Sequence, residues 1–101
     1  MVVSVDDFRA SLSASTPAPG FDAPLAGLWW AAKGRWDDAH RTVQNQSGAD
    51  AAWVHAYLHR VEGDLGNAGY WYRQARRPVA SGSLDREWQE IASELLGGGS
   101  A

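Results

Sequence analysis

The chain reads as an all-α protein, a short series of helical hairpins with a flanking helix at each end. Three observations predict this. Apolar residues recur at helical spacing, as in Leu84, Trp88, Ile91 and Leu95, which marks one buried helix face. Alternation of apolar and polar residues never persists long enough to define a strand. Glycines and Ser or Asp caps punctuate the periodic segments.

Taken in order, Ser4 to Ser13 predicts a short helix, with Ser4 as N-cap, Asp7 three residues on, and Val5, Phe8 and Leu12 sharing a face. The segment 15–24, STPAPGFDAP, is expected to be an extended connector, because each proline disfavours helix in the residue before it. Asp22 caps the next helix and Pro24 suits its first turn. That helix runs to about Lys33 and buries Leu25, Leu28, Trp29 and Ala32. After Gly34 a helix from Trp36 groups Trp36, Ala39, His40 and Val43. Asp50 is expected to cap the following helix, which ends at Gly63-Asp64. The next runs from about Gly66 to Arg76, and Ser83 caps the last. This divides the chain into a short helix and connector (1–24), a helical-hairpin domain (25–96) and a flexible tail (97–101).

Composition narrows the function classes. The 101 residues allow one domain that buries roughly two-thirds of its unfolded surface. A net charge of -3 argues against generic binding to nucleic acid or anionic membranes. The absence of cysteine excludes disulfides, thiol nucleophiles and cysteine metal sites. With no secretory signal at the N-terminus and no membrane-length apolar run, a cytoplasmic location is expected. The six Trp are many for this length, so some are expected at the surface or in a homodimer contact.

Aligning Gly34 with Gly63 superimposes two halves: Trp36 meets Leu65, Ala39 meets Ala68, and Val43 meets Tyr72. Each half is a helix, a Gly turn, a large apolar residue, then Ala three residues later. The pattern resembles the tetratricopeptide repeat: Gly63, Asp64, Leu65, Ala68, Tyr72 and Ala75 fit its turn, apolar, small and aromatic positions. In the first half Gly34, Trp36 and Ala39 fit. The resemblance covers about half the chain and departs in period, since 63 minus 34 gives 29 residues, whereas the family repeats every ~34. It implies two irregular tetratricopeptide-like hairpins and, by analogy, a protein or peptide partner. The stretch HAYLHRVEGDLGNAGYWYRQA also resembles the signature of a small uncharacterised bacterial and fungal family, which implies no activity.

The candidate functional residues cluster in 50–77. His55, His59 and Glu62 fall at i, i+4 and i+7, within about 60° on one helix. Two His at i, i+4 can chelate a divalent ion, and the carboxylate one turn on can be a third ligand. His40 faces them if the hairpins stack. The HExxH context is absent, so no metal and no cofactor is assigned, with His55, His59 and Glu62 as the ligands an ion would use. An acid-base role would use the same imidazoles, yet no nucleophile motif or phosphate loop accompanies them, so no catalytic residue is assigned. Trp71 and Tyr72 are expected in the core, whereas Asn67, Tyr70 and Arg73 face a recognition surface. The leading expectation is a non-enzymatic protein-interaction or ligand-binding module. The alternative is a metal- or small-molecule-binding protein, a degenerate enzyme included, built on the His/Glu cluster.

Overall fold

Helix starts follow the capping chemistry of the sequence. The computed structural model describes residues 3–97, and among them are six α-helices, one 3₁₀ turn and no strand. The elements are α1 (Val5–Ala10), the 3₁₀ turn Ser11–Ser13, α2 (Ala23–Ala32), α3 (Trp36–Val43), α4 (Ala49–Val61), α5 (Leu65–Ala75) and α6 (Leu84–Leu95). Ser4 Oγ accepts the Asp7 N–H, Asp22 the Leu25 N–H, Asp64 the Asn67 N–H, and Ser83 the Arg86 N–H, all at 3.0–3.2 Å. Each side chain satisfies a donor the helix itself leaves open.

One start differs from expectation. Gly48, not Asp50, caps α4, with φ +103, and the helix begins at Ala49. A residue with a Cβ rarely adopts that backbone, so the glycine decides where the helix turns in. Asp50 then lies in the first turn, where its charge complements the helix dipole. The tail expected at 97–101 falls, beyond Gly97, outside the described residues.

The most extensive helix contacts are within the pairs α2–α3 and α4–α5, each joined by a turn whose glycine has positive φ, Gly34 at +74 and Gly63 at +86. The small residues expected at the crossings are there: Ala39 and Ala68 are buried. A further close approach was not foreseen. Gly27 lets α2 sit so near α3 that a Cβ there would lie 2.6 Å from Val43 Cγ1. Ala32, expected on the buried face of α2, is exposed.

Contacts from α4 reach α2, α3, α5 and α6, and its residues 51–59 are all buried. The core around it contains Leu28, Trp29, Val54, Leu58, Tyr72 and Ile91. Phe8 of α1 joins this core, its ring 5.6 Å from Trp88 and 5.2 Å from Phe21. Of the six tryptophans, Trp29, Trp53 and Trp88 are buried and Trp30, Trp36 and Trp71 half-buried, so none presents an exposed indole. Their N–H groups explain part of this. Trp29 donates to Ser11 Oγ, Trp36 to Leu58 O, and Trp88 to Leu28 O, which lets a large polar-tipped ring be buried. No helix among the described residues is long and apolar enough to cross a membrane.

Candidate metal centre

The stripe on α4 is turned inward. His55 and His59 are buried, and Trp36 and His40 of α3 close over them. His40 Nε2 lies 3.0 Å from His55 Nε2, so one ring donates to the other. The rings of His55 and His59 stack, with centroids 4.9 Å apart. A ring nitrogen from each of His40, His55 and His59 lies within 4.8 Å of the other two. These are all the histidines of the chain.

Two indoles wall the cluster. Trp36 stacks on His40 with centroids 4.8 Å apart and planes 9° apart. Trp71 stacks on His55 at 3.9 Å and 16°. Trp71 therefore serves the cluster and not the core centre, where Tyr72 takes the buried position. Glu62 Oε1 accepts from His59 Nδ1–H at 2.7 Å. A carboxylate on Nδ1 fixes that tautomer and leaves Nε2 as a lone-pair donor.

Burial favours the neutral form of two of the rings. Burial first, then repulsion from His40 and His59, brings His55 from 6.5 down to about 4. Burial and His59 also lower His40, against the opposing pull of Glu62 and Asp37. A neutral imidazole is the form that ligates, so protons compete weakly for His40 and His55 near neutrality.

The structure brings together four of the seven candidate residues, His40, His55, His59 and Glu62. The other three lie elsewhere. Asn67 is exposed and hydrogen-bonds Asp64, both through its backbone N–H and through Nδ2, at 3.2 and 3.0 Å. Tyr70 is exposed and touches Trp71 edge-on. Arg73 is exposed on α5.

A second polar cluster escaped the sequence reading. Glu87 of α6 is buried, accepting from the Tyr72 hydroxyl at 2.6 and 2.8 Å and from Arg60 Nη1 at 3.0 Å. Burial, then the Glu87 contact, holds the Tyr72 phenol well above its usual range. Burial with Glu87 and Asp85 pushes nearby Tyr57 up to about 12. The signal was available: Glu87 is three residues from Leu84 and four from Ile91, on the buried face of α6.

No family model, curated protein or solved structure matches this chain.

Proposed function

We propose that this protein binds one divalent transition-metal ion through His40, His55 and His59. The observation that carries this is the convergence of all three histidines, from two helices, with ring nitrogens within 4.8 Å. Zinc–imidazole bonds of about 2.0–2.1 Å at tetrahedral angles place nitrogens roughly 3.3 Å apart. The 3.0 Å His40–His55 separation needs only a small opening to admit an ion. The ion displaces the proton shared by those two Nε2 atoms, which moves to the Nδ1 of the donating ring. Glu62 then acts behind His59, strengthening it as a ligand through Nδ1. An all-imidazole set favours zinc, copper(II) or nickel over magnesium or calcium.

The sequence ranked a partner-binding module first; this clustering supports the metal reading ahead of it. Four recesses of ≈ 390 to 510 Å³ lie on the described surface, and none of these four is lined by a histidine. The burial of His55 and His59 favours an ion with a structural or storage role over one that meets a substrate. Within the same proposal we read the two helix pairs as tetratricopeptide-like hairpins, supported by Gly34 and Gly63 at matching turns and by the buried Ala39 and Ala68.

Calorimetric titration of metal-free protein with Zn²⁺ tests the reading. One equivalent is expected to bind, with Mg²⁺ giving no heat. His40→Ala, at a half-buried position, is expected to weaken binding at least ~100-fold, and Glu62→Ala by about 10- to 100-fold, the usual effect of losing a ligand's carboxylate partner. No zinc binding, or equal affinity in wild type and His40→Ala, would show that the histidines merely satisfy one another.

A further inference from the structure

A recess of ≈ 410 Å³ with no histidine in its lining lies between the end of α4, the start of α5, the loop 78–82 and the start of α6. Five large apolar side chains are exposed among the described residues: Val61, Leu65, Tyr70, Val79 and Leu84. Three of these, Leu65, Val79 and Leu84, line this one recess. Scattered exposed apolar residues need no explanation, whereas their convergence on a concavity does. Its volume is within the range of small-molecule sites.

The polar end is built by the buried cluster. Tyr72 and Arg60 both line the recess. The Tyr72 hydroxyl is committed to Glu87. Arg60 donates through Nη1 to Glu87 and through Nη2 to the Gly82 carbonyl, tying the loop 78–82 in place. A guanidinium carries five N–H donors, so further donors remain at the end of the recess. Charge decides what they receive. Arg60 is already neutralised by Glu87 at 3.0 Å. A second carboxylate would be repelled by Glu87 and an ammonium by Arg60, whereas a neutral carbonyl meets neither penalty.

We propose that this recess binds a small neutral amphiphile, its carbonyl oxygen accepting from Arg60 and its hydrocarbon chain lying on Leu65, Val79 and Leu84. The site is separate from the metal centre and does not depend on it.

Hexanamide, hexanoate and hexylamine, which share a chain and differ in charge, serve as probes. Each is titrated into the ¹⁵N-labelled protein while the amide resonances of Leu65, Ala68, Ala80 and Leu84 are followed. Hexanamide is expected to give saturable shifts at these amides, with the two charged probes at least ~10-fold weaker, the discrimination of a site whose charges are already paired. Leu65→Asn with Val79→Asn is expected to weaken hexanamide binding by about the same factor. Both positions are well exposed, so the melting temperature should hold. No saturable shift, equal binding of all three probes, or undiminished binding in the double variant overturns the proposal. So does saturation by an apolar helical peptide but not by hexanamide, which would assign the surface to a protein partner.

Discussion

Acidification of the metal-free protein offers a direct reading of the histidine cluster. In the folded chain His55 titrates at about 4, against 6.5 for an unperturbed imidazole. The unfolded chain therefore binds the proton first as pH falls. Stability is full above pH 6.5, declines through the window from 6.5 to about 4, and levels off below it as far as His55 is concerned. The interval corresponds to an upper bound of about 3.4 kcal/mol at 1.36 kcal/mol per pH unit. His40, which covers His55, is half-buried, so water screens part of this and about 2–3 kcal/mol is expected. His40 itself is lowered and adds a contribution of the same sign. All the chain's histidines are in the cluster, so no distant histidine confuses the window. Urea unfolding in the presence of a chelator, at steps from pH 7.5 to 4, measures the slope. His55→Leu, which fills the space without a titrating group, should remove most of it. A stability that stays flat from pH 6.5 to 4, or a slope unchanged in His55→Leu, would refute the burial argument.

Two further predictions concern the frame around the cluster. Gly27→Ala puts a methyl 2.6 Å from Val43 Cγ1 and 3.4 Å from Val54 Cγ1. Valine is stiff at χ1 and gives way poorly, so overpacking of about 1–3 kcal/mol should outweigh the ~1 kcal/mol gained in helix propensity. The expected outcome is a melting temperature lower by a few degrees, with Val43→Ala costing less in that background than in the wild type. Tyr72→Phe removes the hydroxyl that donates to buried Glu87 and should cost about 1.5–3 kcal/mol in urea unfolding. A loss under about 0.5 kcal/mol would mean that Arg60 alone satisfies the carboxylate.

What was legible in the sequence is what depends on neighbours along the chain. The caps at Ser4, Asp22 and Ser83 and the turn glycines Gly34 and Gly63 act within one turn of themselves, and all are where the pattern put them. The stripe His55, His59 and Glu62 was visible for the same reason, as a single-helix period. Its meaning was not. Whether it faces solvent or α3 depends on how helices cross, and the crossing is set partly by Gly27, whose close contact with Val43 leaves no mark in a binary pattern. The Trp walls were hidden likewise, and so were the partners of Glu87: its place on the buried face of α6 could be read from spacing, but Tyr72 and Arg60 reach it from other helices. Trp71 and Tyr72 are adjacent in sequence, yet one stacks on His55 and the other reaches α6.

The position of the cluster also says what an ion would do for the fold. Contacts within α2–α3 and within α4–α5 are more extensive than those α4 makes with α3 and α2 across the two pairs. The seam between the two pairs is thus the weaker joint. His40 reaches it from α3, His55 and His59 from α4, and the Trp36 indole crosses it to the Leu58 carbonyl at 2.7 Å. An ion held by all three imidazoles would bind only when the two pairs are docked, so its binding energy would accrue to that joint. At a free concentration 100-fold above its Kd it would add about 2.7 kcal/mol, comparable to the whole acid-labile term of His55. Protons and metal would then pull the same seam in opposite directions, since acid loads the imidazoles that the ion needs neutral.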